Sequence, residues 1–146
     1  ITLAGGDNAT CTIDNNDQAA TLTLIKTVTN DNGGTATVSN FPLTATGPTT
    51  ITGTSGSATV TNASVSAGAY TLSETNQPGY TAGTYSCVLN GGAATVANSI
   101  TLAGGDNATC TIDNNDQAAT LTLVKTVTND NGGTATVSDF PLTATG

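Results

Sequence analysis

The chain has 146 residues and a net charge of −8, with only two basic residues and charged side chains at 8% of the total, against roughly 25% in ordinary globular domains. So few cations leave no basic patch for nucleic acid or an anionic membrane surface, and the absence of His makes a zinc site improbable. No apolar run approaches the ~18 residues of a membrane span and no signal peptide is present, so direct membrane insertion is not expected and an export signal would lie outside these residues.

Residues 1–47 return at 100–146 with two changes, Ile25 to Val124 and Asn40 to Asp139. The offset of 99 residues is the size of one domain, and near-identity at a fixed period is the mark of an array. The cleanest phase places one complete repeat at 18–116. Residues 1–17 are then the truncated last strand of a preceding repeat, and 117–146 the truncated first strands of the following one.

Within the complete repeat, short runs of alternating polarity are separated by turn residues. Thr21–Thr29 (TLTLIKTVT) ends at Asn30-Asp31-Asn32-Gly33-Gly34. Thr35–Ala45 follows, interrupted at Pro42, then Thr49–Thr52 and Ser57–Val65. Ala69–Thr75 ends at Asn76-Gln77-Pro78-Gly79, and Tyr80–Leu89 runs to Asn90-Gly91-Gly92. Ala94–Leu102 runs to Gly104-Gly105-Asp106-Asn107, and Ala108–Asn114 closes the unit. No stretch has helical spacing. Seven or eight short strands in a domain of this size predict an all-β, Ig-like β-sandwich repeated in tandem, with Phe41, Tyr70, Tyr80 and Tyr85 in its core.

Side chains alternate faces along a strand. Leu22, Leu24, Lys26 and Val28 share one face, as do Tyr70, Leu72 and Glu74, and Cys110, Ile112 and Asn114. Lys26 is the sole basic residue of the complete repeat, and it points where the leucines point. A buried, unpaired ammonium is costly, so Lys26 is expected to be paired, neutral or covalently consumed. An amine, an acid and a carboxamide together suggest an intramolecular isopeptide bond. Burial favours the neutral amine and the protonated acid. Lys26 would then attack the Asn114 carboxamide while Glu74 polarises its oxygen and moves the proton. This is a single-turnover self-reaction, not enzyme catalysis. The run Asp113-Asn114-Asn115-Asp116 leaves neighbouring acceptors open, with strand phase favouring Asn114. A Lys26–Glu74 ion pair without a covalent bond and a lysine snorkelling to solvent are the competing readings.

The segments TLTLIKTV, AGAYTLSETNQPGY and TCTIDN together resemble the Cna B-type (SpaA-like, prealbumin-fold) repeat of bacterial surface proteins and pilins. The box from Tyr70 to Tyr80 is its most specific part, and the resemblance spans the complete repeat. It implies a prealbumin-like sandwich and assigns the isopeptide triad to Lys26, Glu74 and Asn114. The paired cysteines depart from that family's general pattern.

Cys87 and Cys110 both face inward, and an even count per repeat in an export-type composition predicts a disulfide. If Tyr80–Asn114 formed a flat three-strand meander, a whole strand would separate them by roughly 10 Å, beyond bridging range. The bridge therefore requires Ala94–Leu102 to leave the sheet or loop outward. Two buried thiols are the alternative. Asn30-Asp31-Asn32-Gly33 and Asp113–Asp116 carry oxygens that could hold calcium, although turns need the same residues; otherwise no cofactor is expected. The outward threonines could form a flat array for ice or sugar, against the plainer reading of strand propensity. Sequons at Asn8, Asn62 and Asn107 arise easily in such a composition.

The expected function is structural. The chain reads as a rigid, force-bearing stalk segment of a bacterial surface adhesin or pilus-like extracellular filament, stapled by the isopeptide and the disulfide. Its partners would be neighbouring repeats of the same chain, other copies in a filament, and an unidentified surface ligand. The alternative is a repeated ligand-binding adhesive module acting through avidity.

Overall fold

Ten strands fill the segment from Ala20 to Asp116 in the computed structural model, which describes residues 1–146. In chain order they are β1 (Ala20–Thr29), β2 (Leu43–Thr46), β3 (Ile51–Gly53), β4 (Ala63–Val65), β5 (Gly68–Glu74), β6 (Tyr80–Ala82), β7 (Ser86–Leu89), β8 (Ala94–Val96), β9 (Ser99–Leu102) and β10 (Asn107–Asp116). The only helical pieces are one-turn 3-10 segments at Val38–Asn40 and at its copy, Val137–Asp139. No helix is long and apolar enough to cross a membrane.

The strands form two sheets. One has the order β4-β1-β10-β7-β8, with β6 paired to the far end of β10; the other has the order β3-β2-β5-β9. The fold is an all-β sandwich. First and last strands lie side by side and parallel, in register from Thr21↔Asn107 to Thr29↔Asn115. All other pairings are antiparallel. Parallel partners cannot be joined by a hairpin, and here the remaining strands form the crossover.

Period-two alternation builds the core. Leu22 and Leu24 from β1, Leu43 and Ala45 from β2, Tyr70 and Leu72 from β5, and Ala108, Cys110 and Ile112 from β10 are all buried. Their alternating neighbours are mostly Thr, which suits a pleated, half-solvated surface. Tyr70 and Tyr85 bury their rings yet satisfy their hydroxyls, donating to the carbonyls of Ser66 and Ser73. Phe41 is likewise buried. Tyr80, expected in the core, is instead half-buried. Its ring packs edge-on against Phe41 at 5.3 Å, while its hydroxyl accepts from the N–H of Ala36 and donates to Asn30.

Several predicted strands are broken. Tyr80–Leu89 divides into β6 and β7, which follow one another along the same partner β10 with an interruption at residues 83–85, where Gly83 N–H bonds the Asp113 carbonyl. Ser57–Val65 is mostly turn, with only Ala63–Val65 paired. Ala94–Leu102 divides at Ala97 and Asn98, and its halves join different sheets. Asn98 holds that corner: its side chain accepts from Tyr85 N–H and its carbonyl from Leu72 N–H. Local alternation cannot report a strand that changes sheets: Ala94–Val96 is exposed throughout and only Leu102 of the second half is buried, so neither half marks the crossing.

Candidate functional site

The two halves of the sandwich bring Lys26, Glu74 and Asn114 together. Lys26 and Asn114 point inward from the parallel pair β1 and β10, where Lys26 stands opposite Ile112 and Asn114 opposite Val28. Glu74, the last residue of β5, reaches in from the other sheet, directly across from the buried Leu43. Lys26 Nζ lies 2.8 Å from Glu74 Oε2, and their side chains are 0% and 5% exposed. Asn114 is fully buried, and its Nδ2 donates to Glu74 Oε1 at 2.5 Å. One carboxylate thus touches the amine with one oxygen and the amide with the other. Lysine does not snorkel here.

Glu74 contacts the amide nitrogen, the group that would leave, rather than the carboxamide oxygen. Asn114 Oδ1 has no hydrogen-bond partner, and neither Lys26 Nζ nor Glu74 Oε2 has an aligned one despite their proximity. Buried polar atoms are rarely left so. An ammonium has three donors to satisfy; this one meets a single carboxylate oxygen and the ring face of Phe41, 4.8 Å from its centroid. Phe41, backed by Tyr80, closes the site against water.

The neighbouring acceptors point elsewhere. Asp113 is exposed and accepts from the Thr27 hydroxyl at 2.7 Å on the outer face. Asn115 is also exposed. Asp116 is buried at the end of β10, where its carboxylate accepts from the backbone N–H groups of Asp31, Asn32 and Gly34. Burial opposes ionisation of Asp116, but the N–H donors of Gly34, Asp31 and Asn32 outweigh it and hold the carboxyl below its ordinary range. A Cβ on Gly34 would stand 2.7 Å from Asp116 Cβ and collide with the Tyr80 hydroxyl, so only glycine allows this close approach. The two oxygen-rich segments Asn30-Asp31-Asn32-Gly33 and Asp113–Asp116 are brought together by the fold, and the Asp116 carboxylate is held by N–H donors of the turn. No group of three or more His, Cys, Asp or Glu side chains converges in the chain. A polar cavity of about 500 Å³ opens beside this turn, lined by Asn32, Asn40, Gln77, Tyr80, Asp116 and Gln117 among others.

Tyr85 sits close enough to Glu74 to feel its charge. Burial first, and that carboxylate second, push the phenol far above its ordinary range. It therefore stays a neutral donor to the Ser73 carbonyl.

Cys87 and Cys110 face each other across β7 and β10 and form a disulfide, their Cα atoms 4.0 Å apart. The flat meander that would have kept them apart does not form. β10 inserts between β1 and β7, β8 lies outside β7, and β9 crosses to the other sheet. Closing a loop of sequence separation 23 stabilises by about 3 kcal/mol in the chain-entropy picture. Cys11, the copy of Cys110, is exposed and free.

A family model described as a prealbumin-like fold domain, of SpaA type, matches residues 17–112 and again 116–146. No curated protein and no solved structure matches the chain. With most of its length matched, and with a two-sheet sandwich to carry it, the chain belongs to the SpaA-type prealbumin-like fold domain family.

Proposed function

We propose that this chain is a segment of a bacterial surface stalk or pilus-like extracellular filament, and that each complete unit welds itself with a Lys26–Asn114 isopeptide bond. Domains of this family are structural modules, and the reading of a stalk rather than an enzyme rests on that membership. The observation that carries the weld is the meeting of amine, acid and amide in a buried site, Lys26 Nζ 2.8 Å from Glu74 Oε2, Asn114 Nδ2 on Glu74 Oε1, and Asn114 Oδ1 without a partner. A permanent ion pair would leave most of the ammonium's donors unmet in a dry site, which is costly. Condensation removes that cost by leaving one N–H on the new amide.

The chemistry follows from the contacts. The Lys26 Nζ lone pair adds to Asn114 Cγ, and Glu74 Oε2 accepts a proton from the amine. Glu74 Oε1 returns a proton to Asn114 Nδ2, the Cγ–Nδ2 bond breaks, and ammonia departs. One C–N bond forms and one is lost, with no oxidant or cofactor. Glu74 ends as it began.

The placement gives this bond a purpose. Tension on an array enters each unit at β1 and leaves at β10. A bond from Lys26 to Asn114 carries that load directly and bypasses residues 27–113. Without it the load rests on hydrogen bonds of about 1 kcal/mol net each.

Intact mass measurement of the reduced chain tests the reading. The mass is expected to be short by one ammonia, Lys26→Ala to restore the full mass, and Lys125→Ala to keep the deficit. A reduced chain of full mass overturns the weld and leaves an ion pair.

A further inference from the structure

We infer that Gln117 is a two-sided clamp that locks each unit to the next, so that consecutive units form one rigid body rather than beads on a string. The inference rests on the stalk reading above. β10 ends at Asp116, and the copy of Ala20, where β1 begins, is Ala119. Only Gln117 and Ala118 separate the last strand of one unit from the first strand of the next.

The chain holds this glutamine twice, once at each kind of boundary. Gln117 follows a complete unit, and it reaches backward: its N–H donates to the Gly79 carbonyl at 2.8 Å and its side-chain amide donates to Thr81 Oγ1. Gln18 precedes a complete unit, and it reaches forward: its carbonyl accepts from Gly105 N–H at 3.2 Å. The Ala103–Asp106 turn lies so close over it that a Cβ on Gly104 would stand 2.9 Å from the Gln18 carbonyl oxygen. A Cβ on Gly105 would come within 3.4 Å of Gln18 Oε1. The backward contacts use the N–H and the amide nitrogen; the forward ones use the carbonyl and face the amide oxygen. These groups do not compete, so one glutamine at an internal junction makes both sets at once. The partner that fits this surface is a second repeat of the same sequence.

The clamp also sets a rotation. Inward positions on β10 run Ala108, Cys110, Ile112, Asn114, Asp116, and on β1 they begin at Ala20, whose copy is Ala119. The step from 116 to 119 is odd, and an odd step along an extended strand moves the buried face to the other side. With Gln117 and Ala118 extended, neighbouring units would be related by about half a turn about the stalk axis.

Two measurements test this. In the 146-residue chain, amide hydrogen exchange at Gln117 and Gly105 is expected to be slower by about tenfold or more than at their copies Gln18 and Gly6; equal rates within either pair overturn the clamp. In a chain carrying residues 18–116 twice in direct succession, residual dipolar couplings are expected to yield one alignment tensor for both units, with about half a turn between them. Gln117→Gly at the junction is expected to split the tensor in two while each unit keeps its own spectrum. Independent tensors in the unaltered chain, or a common tensor after Gln117→Gly, overturn the proposal. Mass measured on the same sample separates the two readings: ammonia lost with units tumbling independently removes the clamp and keeps the weld, and a common tensor with ammonia retained does the reverse.

Discussion

Residues 18–47 and 117–146 are almost the same sequence in two different surroundings. In the first, Leu22, Leu24, Phe41 and Leu43 are fully buried. In the second, their copies Leu121, Leu123, Phe140 and Leu142 are between 41% and 72% exposed, and no strand forms. Yet the local features survive. Lys125 still stacks over Phe140 at 4.7 Å, matching Lys26 over Phe41. The Asn129 side chain still donates to the Ala135 carbonyl, as Asn30 does to Ala36. The same holds upstream, where Ala4 N–H bonds Asp7 just as Ala103 N–H bonds Asp106, although residues 1–17 pair with nothing. Turns and the cation–π contact are written locally; strands form only where the rest of the unit is present to pair with them.

This contrast sets expectations that paired substitutions can break. The largest effect belongs to the core. Leu24→Ala should destabilise by about 2–5 kcal/mol in urea unfolding, while Leu123→Ala should stay within about 0.5 kcal/mol; equal costs would mean the second copy is packed after all. Next, Cys110→Ser should cost about 3 kcal/mol through loss of the disulfide, and Cys11→Ser nothing measurable. Third is Asp116, whose carboxyl is held below its ordinary range in the folded chain. Such a group stabilises the fold above its unfolded pKa, and the contribution disappears as pH falls through the lower folded value. Asp116→Asn should therefore flatten the acid arm of stability measured against pH; an unchanged acid arm would mean the loop amides do not hold this carboxylate. The smallest effect concerns a natural difference between the copies. Asn40 Oδ1 accepts from Thr37 N–H at 2.8 Å and Asp139 Oδ2 from Thr136 N–H at 2.7 Å. Asn40→Asp keeps that acceptor and should shift stability by no more than about 0.5 kcal/mol. The other difference, Ile25 against Val124, lies on the outward face of β1, where losing one methylene disturbs little.

What was readable beforehand follows from what period two encodes. It reports which face a residue occupies, so the inward phase of Lys26, Glu74, Asn114, Cys87 and Cys110 could be read from alternation alone. It does not report neighbours. Nothing local says that β1 and β10, some 86 residues apart in register, lie parallel, or that the chain leaves one sheet for the other at Asn98. That missing crossover made the Cys87–Cys110 bridge look geometrically awkward. Asp116 was hidden for another reason: a loop-binding aspartate and an ordinary turn aspartate look alike until the amides that bind it are in place. The amide of Asn114 was likewise beyond reach, since strand phase fixes where a side chain points but not how its end is rotated.

The strand made last is also the one in the middle. β10 must slot between β1 and β7 after everything else has been synthesised, so a unit cannot complete its larger sheet until its final ten residues have emerged. Such distant pairing is slow to find. In an array of near-identical repeats, a neighbour's closing segment fits the same slot equally well, which makes strand exchange between units the characteristic folding error of such a chain. The two-residue tether guards one side of this: it keeps the preceding unit's closing strand from folding back parallel onto the β1 it leads into, because parallel partners need a longer crossover.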